Sequence, residues 1–432
     1  MRIDNLTIKN FNGFAHRTFS FNPLFNLLVG DNAAGKTSVL DALAVSIGSW
    51  FLGLRGFEKS PRIDAEEVRV AAHAHLDSYT FEKQFPSRIE CTGVVMGQRI
   101  TWDRELQREG GRTTTVGASP ISEVARDAER RVRAGESITL PLVCAYGTER
   151  LWFEKSHRAT KAGGEWDRGS PRVLTKGRPS RLDGYRDCFN FTIQETALLD
   201  WIRDQTTASL PLRQDTIALS VVKRAIIKCV DGAKSLYYDG RYKNLVIVME
   251  DYGPQLFRNL SDGQRIMLTL VGDLASRAAI LNPHLADAAL HQTQGVVMID
   301  ELDLHLHPKW QRRVIHDLKT TFPSLQFIAT THSPQLIGEA EPKEIRLLEG
   351  GETTIPPRSF GIDSSRVLEE VMGAPSRDPS VGGLLTQLFK SIDDEDFAGA
   401  RRLLADVEAK LGLDDPEVTR ARALMTFLES KV

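Results

Sequence analysis

The nine residues Gly30-Asp31-Asn32-Ala33-Ala34-Gly35-Lys36-Thr37-Ser38 fit the spacing Gly-x-x-x-x-Gly-Lys-[Ser/Thr] at every defined position. Glycines at Gly30 and Gly35 let the backbone of Asn32, Ala33 and Ala34 turn its N–H groups inward around an anion. A helix opening at Lys36 would aim its positive end at the same anion. The chemistry implied is the holding of a nucleotide triphosphate. Lys36 is expected to bridge the β- and γ-phosphates, Thr37 to hold Mg²⁺ through its hydroxyl, and Ser38 to reach the α-phosphate. ATP and Mg²⁺ are therefore the expected cofactors.

Three later segments supply complementary groups. Val296-Val297-Met298-Ile299-Asp300-Glu301 reads as a buried strand ending in two acids. Its carboxyl edge is where ligands sit in open α/β sheets. Asp300 is expected to orient Mg²⁺ or its water shell, and Glu301 to poise an attacking water for in-line transfer. Leu325 to Thr331 reads as another strand, running into His332-Ser333-Pro334, where His332 can contact the γ-phosphate. Asp300 and His332 lie 32 residues apart, which leaves room for one helical crossover between parallel strands. Leu260-Ser261-Asp262-Gly263-Gln264-Arg265 opens a further helix, Ile266 to Arg277. Ser261 and Gln264 there have the spacing of a capping box. The same Ser261-x-Gly263 turn also makes a second anion-receptive helix start, 225 residues after Lys36. One phosphate group needs one such turn from its own chain, so Ser261, Gly263 and Gln264 are expected to serve the ATP of a second subunit.

The elements that must position these groups are legible as periodicities. Ile3, Leu6 and Ile8, then Phe14, Phe19 and Phe21, alternate as strands do. Phe25 to Val29 is a short apolar run before the glycine turn. Val39, Leu40, Leu43 and Ile47 share one face of the helix after it. Strand, glycine turn and helix is the order a phosphate loop requires. Arg88 to Trp102 is strand-like, Ile121 to Ala134 helical, and Leu140 to Tyr146 a buried strand. Lys155 to Arg181 is rich in Gly, Ser and Pro and holds eight Lys/Arg against two acids, the pattern of a solvent-facing loop. Beyond Phe360 the chain turns helical. Leu384, Leu385, Leu388, Phe389 and Ile392 form one stripe, and Phe397, Leu403, Leu404, Val407 and Leu411 a second. Asp415-Pro416-Glu417 opens a third helix.

Bulk properties narrow the class. At 432 residues, 41% hydrophobic and 26% charged, the chain has the composition of a globular protein. A net charge of −2 advertises no nucleic acid globally, so any such contact would need a local patch, with Lys155 to Arg181 the candidate. Cys91, Cys144, Cys188 and Cys229 show no CxxC spacing and are expected as reduced structural thiols. The N-terminus lacks the apolar core of a signal peptide, and no 18-residue apolar run occurs, so a cytoplasmic protein with no membrane partner is expected.

In this order the phosphate loop, the Leu-Ser-Asp-Gly-Gln motif, the strand ending in Asp-Glu and the Thr-Thr-His-Ser strand end resemble the ATP-binding-cassette ATPases. The opening Ile3-Asp4-Asn5-Leu6-Thr7-Ile8-Lys9-Asn10-Phe11-Asn12-Gly13-Phe14 is similar to the RecF, SMC and OLD branch. Ala145-Tyr146-Gly147-Thr148-x-Arg150-Leu151-Trp152, Asp303-Leu304-His305-Leu306-His307-Pro308-x-Trp310-Gln311 and Ile328 to Leu336 are similar to PtuA-type ATPases of Septu and Septu-containing retron antiphage systems. A weaker match runs from Asp363 to Gly373. The resemblance implies an α/β P-loop fold of the ABC type: a mostly parallel central sheet, an antiparallel β subdomain, helical insertions and a C-terminal helical appendage. The ATPase domain is expected over 1–360, with a helical and loop insertion at about 103–250 and the basic loop at 155–181, and the helical region over 361–432. It further implies a Mg²⁺-dependent ATPase that dimerises head to head around ATP and regulates a partner, an HNH nuclease called PtuB, with no nuclease activity of its own. A RecF-like DNA-binding repair ATPase without a nuclease partner is the alternative.

Ala33 stands where the family commonly has glycine, Asp262 where the signature has its first glycine, and no Q-loop glutamine is identifiable. His305 and His307 could pair at a metal or pack at an interface. Tyr146 and Arg150 could line the nucleotide or the core.

Overall fold

The N-terminal alternation folds as two antiparallel strands, Arg2–Phe11 (β1) and Phe14–Ser20 (β2). Ile3, Leu6, Ile8, Phe11, Phe14 and Phe19 are buried; in β1 the strict period of two is broken by a register shift between Ile3 and Asn5 and by Asn10 at φ 51°. Phe25–Gly30 (β3) feeds Lys36–Ile47 (α1). An exposed hairpin of Val70–His75 (β4) and Ser78–Lys83 (β5) follows, then Ser87–Val95 (β6) and Gln98–Leu106 (β7). β6 returns beside β1, giving a four-stranded antiparallel sheet in the order β2-β1-β6-β7. This computed structural model describes residues 1–56, 60–75, 78–148, 180–189, 195–349 and 352–429.

The chain continues through Ser119–Arg133 (α2), Leu142–Tyr146 (β8), Glu195–Ser209 (α3) and Ile217–Cys229 (α4). Ala233–Asp239 (β9), Asn244–Met249 (β10) and Gly253–Leu256 (β11) form an antiparallel meander. After it come Asp262–Leu281 (α5), Ala289–Gln292 (α6) and Gly295–Ile299 (β12). Pro308–Thr321 (α7), Leu325–Thr330 (β13), Pro334–Glu339 (α8), Ile345–Glu349 (β14) and Glu352–Thr354 (β15) complete this part.

Six strands make the central sheet, in the order β15-β14-β3-β13-β12-β8. β14, β3, β13, β12 and β8 run parallel, and β15 is an antiparallel edge. β8, β12 and β13 are buried at every residue, as strands covered on both faces must be. β13 lies between β3 and β12, and α7 carries the crossover from β12 to β13. The carboxyl ends of the phosphate-loop strand, the histidine strand and the acid strand are therefore adjacent.

Two expectations need adjustment. α1 buries Val39, Leu40, Leu43 and Ile47, but also Ala42, Ala44, Val45 and Ser46. It packs against strands of both sheets, with Trp102 on β7 donating its indole N–H to the Ser46 carbonyl at 2.9 Å, and only the side carrying Thr37, Ser38 and Asp41 stays open. The interval 103–250 is not one helical insertion, since it contributes β8 to the central sheet and contains the β9–β11 meander. Charged helical stretches on either side of β8 obscured that its five apolar residues pair with β12. Of the expected basic loop, only Ser180 and Arg181 fall within the described residues, and Arg181 opens a short helical turn to Tyr185. Arg150, Leu151 and Trp152 lie outside them.

By contact the chain divides into two compact units, Met1–Ile362 and Asp363–Val432. The second contains Ser364–Arg366 (α9), Pro379–Asp393 (α10), Phe397–Leu411 (α11) and Pro416–Glu429 (α12). Its core joins Leu385, Leu388 and Ile392 to Leu404 and Val407 and to Val418, Ala421 and Met425. Asp415 caps α12 by accepting from the Glu417 amide at 2.9 Å. Cys91, Cys144, Cys188 and Cys229 are buried free thiols, and burial pushes Cys91 up to about 12. Among the described residues no helix is long and apolar enough to cross a membrane.

Within the first unit one buried amide joins the two large sheets. Gln326 on β13 donates to the carbonyls of Ile3 at 2.8 Å and Asn22 at 2.9 Å, and accepts from the Ile3 amide at 2.7 Å. Gln326→Leu fills the same space but strips a partner from the buried amide and carbonyl of Ile3, while the Asn22 carbonyl keeps Asn26 Nδ2 at 2.9 Å. Each such buried loss costs about 1–3 kcal/mol, so the variant should lose about 2 kcal/mol or more of unfolding free energy in a urea titration. A loss below about 1 kcal/mol would mean water replaces the amide.

Candidate functional site

The phosphate loop is built where β3 ends. Gly35 sits at φ 90°, and a Cβ there would meet the Phe14 ring at 2.4 Å, so both backbone and packing exclude a side chain. Ala33 also takes a left-handed φ of 68°, bearing a modest strain that a glycine would not. No side chain caps α1, whereas α5, α7 and α8 are each capped by one. The first amides of α1 are thus not competed for by a side-chain cap. Lys36, 7% exposed, lies inside the loop and donates to the carbonyls of Gly30 and Asp31, both at 2.8 Å. Burial lowers its pKa, opposed by the charges of Asp300, Asp31, Glu301 and Asp303.

Asp300 follows β12 and is nearly buried. Its backbone amide donates to the Tyr146 carbonyl at 2.8 Å. Its carboxylate accepts from the Thr37 hydroxyl at 3.2 Å on Oδ2 and from the Thr330 hydroxyl at 2.6 Å on Oδ1. Glu301 is half-buried in a left-handed conformation, φ 48°, and its amide donates to Thr330 Oγ1 at 2.7 Å. His332 emerges two residues past β13, half-buried at the same edge. The structure therefore brings Gly30, Lys36, Thr37, Asp300, Glu301 and His332 to contiguous strand ends.

Ser261, Gly263 and Gln264 lie at the start of α5. The capping box is present: Ser261 Oγ accepts from the Gln264 amide at 3.4 Å, and Gln264 Oε1 accepts from the Ser261 amide at 3.0 Å. A Cβ on Gly263 would meet the His305 carbonyl at 2.9 Å, so the turn rests against the segment after Glu301. That segment is tied to the end of β13. Thr331 Oγ1 donates to Asp303 at 2.5 Å, Ser333 Oγ donates to Gln311 Oε1 at 2.7 Å, and Gln311 Nε2 donates to the Leu306 carbonyl at 2.9 Å.

His307 accepts from the Lys309 amide at 3.3 Å and so caps α7. Among the described residues no group of three or more His, Cys, Asp or Glu could hold a metal alone. Tyr146 is a core residue, its hydroxyl donating to Asp273 at 2.8 Å beside the buried Asp273–Arg277 ion pair.

The sequence marked Thr330 only as part of the Thr-Thr-His-Ser strand end, with no role of its own, and did not single out two acids near the site. Burial pushes Asp41, on α1, up to about 6, with the Asp300 charge adding. Burial likewise pushes Glu67 up to about 7, against the lowering effect of the Asp64 amide and with Asp41 and Asp64 adding. Raised carboxyls favour the folded state below their unfolded values near 4, and that contribution is lost as pH rises through 6 to 7. In Mg²⁺-free buffer, the Asp41→Asn, Glu67→Gln double variant should gain stability over wild type progressively between about pH 4 and 7, then hold the gain. Urea midpoints against pH check this; a pH-independent difference would contradict the shifts.

Comparison with known proteins agrees with this geometry. Residues 5–209 match a model described as "AAA domain", and residues 214–338 one described as "AAA domain, putative AbiEii toxin, Type IV TA system". The chain is 38% identical to the Retron Ec83 probable ATPase of Escherichia coli, over 96% of this chain and 85% of that protein. It is 31% identical to the Septu protein PtuA of Bacillus thuringiensis over 35% of this chain and 40% of that one. An Smc head domain derived from Pyrococcus furiosus, solved with a domain of ScpA, is 13% identical with a TM-score of 0.46, over 82% of this chain and 95% of that one. With a phosphate loop, an acid-tipped neighbouring strand and 38% identity over nearly the whole chain to a retron probable ATPase, the chain belongs to the family of P-loop ATPases that includes that retron protein.

Proposed function

We propose that two copies of this chain close head to head around ATP and Mg²⁺, and that this ATP-gated pairing governs a separately encoded effector, an HNH nuclease, in antiphage defence. The observation that carries the reading is the shared Asp300 carboxylate, 3.2 Å from the Thr37 hydroxyl that opens α1. A hydroxyl and a carboxylate on adjacent elements are the hard oxygen donors that Mg²⁺ takes alongside phosphates and water. Thr37 and Asp300 would hold the ion, which neutralises phosphate charge when bound.

The other residues act on the nucleotide directly. Amides of the loop from Gly30 through Gly35, with Asn32, Ala33 and Ala34 between, wrap the β- and γ-phosphates, and Ser38 reaches the α-phosphate. Lys36 exchanges its carbonyl partners for phosphate oxygens. Glu301 orients a water in line with the γ-phosphate and accepts its proton, and His332 donates to the γ-phosphate. Ser261, Gly263 and Gln264 of the second copy close over the same triphosphate, the start of α5 offering its positive end. Likeness to the Septu protein PtuA supports the partner and the defence role. The basic segment Lys155 to Arg181 is where contact with nucleic acid is proposed.

Phosphate release tests the catalytic assignment. Wild type should hydrolyse ATP only with Mg²⁺; Glu301→Gln should retain ATP binding and slow release by about 100- to 10,000-fold, and Lys36→Ala should lose binding. Unchanged turnover in Glu301→Gln would remove it from the role of base. Plasmid incubated with the chain and Mg²⁺ should stay intact, and reproducible cleavage would place the nuclease in this chain.

A further inference from the structure

We propose that Thr330 is the positioning residue of this ATPase: one buried hydroxyl fixes both the Mg²⁺-holding carboxylate of Asp300 and the backbone of Glu301. The proposal rests on the reading of those two acids given above, and adds the group that sets their geometry.

Thr330 is the last residue of β13 and is fully buried. β13 separates β3 from β12, so Thr330 stands between the strand that ends in the phosphate loop and the strand that ends in the acids. A hydroxyl has one proton to give and lone pairs to accept with. Here the proton goes to Asp300 Oδ1 at 2.6 Å, and a lone pair accepts from the Glu301 amide at 2.7 Å. The Thr330 carbonyl accepts a third bond, from the Leu302 amide at 2.9 Å.

The consequences for the two acids differ. For Asp300 the bond to Oδ1 sets the carboxylate plane, so that the Thr37 hydroxyl lies 3.2 Å from Oδ2 and 3.5 Å from Oδ1. Without it, rotation about the terminal torsion is broad, because that torsion has no deep staggered wells. For Glu301 the bond holds a non-glycine residue at φ 48°. Such a conformation persists only where surrounding contacts over-determine it. The turn in turn sets the direction in which the Glu301 side chain leaves the strand. Geometry within a site of this kind commonly depends on partners one layer behind the groups that touch the substrate.

Thr330→Val keeps the branched shape and the carbonyl but loses both side-chain bonds, whereas Thr330→Ser keeps the hydroxyl. Three quantities separate positioning from plain structure: ATP affinity in EDTA, the Mg²⁺ concentration giving half-maximal ATP affinity, and kcat. In Thr330→Val, kcat should fall about 10- to 100-fold and the half-maximal Mg²⁺ concentration should rise about 10-fold. ATP affinity in EDTA should stay at the wild-type value, and Thr330→Ser should restore both changed quantities. The proposal is overturned if Thr330→Val keeps wild-type Mg²⁺ dependence and kcat. It is equally overturned if affinity in EDTA drops along with them, or if Thr330→Ser behaves like Thr330→Val. Normal Mg²⁺ dependence in Asp300→Asn and normal turnover in Glu301→Gln would instead remove the reading beneath it.

Discussion

The site depends on a carboxylate held from two sides. Asp300 accepts one hydroxyl from the helix behind the phosphate loop and one from the end of the intervening strand, while its amide donates to β8 on its other flank. Four adjacent strands, β3, β13, β12 and β8, thus converge on one acid. The order of the sheet makes this possible. Had β12 paired directly with β3, no polar strand end would stand between loop and acids. β12 and β13 are buried throughout and paired on both edges, and register is fixed because the buried polar groups of β13, Gln326 and Thr330, must meet their partners. Gln326 and Trp102 then hold the antiparallel sheet against this core, and through it Phe14 against Gly35.

Much of this was legible because it is local. The phosphate loop, the acid-tipped strand and the strand before His332 are contiguous motifs whose periodicity and end residues carry their own meaning. The capping box at Ser261 and Gln264 was likewise readable from a four-residue spacing, and so were the three helices of the C-terminal unit with their apolar stripes. What escaped is non-local. Thr330 looks like any β-branched residue in a strand until the sheet order places it between two others. Asp41 and Glu67 are 26 residues apart, and nothing in a charge pattern announces that burial raises both or that the Asp300 charge acts on Asp41. β8 was readable as a strand, but not as a partner of β12, since parallel pairing carries no short-range signature.

The start of α5 has two chemical identities. Within its own chain it is a capped helix whose Gly263 lies against the His305 carbonyl, and the segment carrying His305 is fastened to β13 through Thr331, Ser333 and Gln311. A second copy's triphosphate would meet the same turn from outside. Ser261 and Asp262 are exposed and so accessible to it, and the bonds of the capping box are those a phosphate would exchange for its own. Movement of β13's end on nucleotide turnover would reach this turn through few, directional bonds. Such a chain of contacts suits the ATP-gated pairing proposed above.

The most direct test is the mass of Glu301→Gln in solution, measured by light scattering with ATP and Mg²⁺. Trans closure predicts a species of twice the 48.2 kDa chain that reverts to the single chain without nucleotide, and that fails to form when Ser261→Arg is added. A particle of unchanged mass at saturating ATP, or a dimer indifferent to Ser261→Arg, would contradict it.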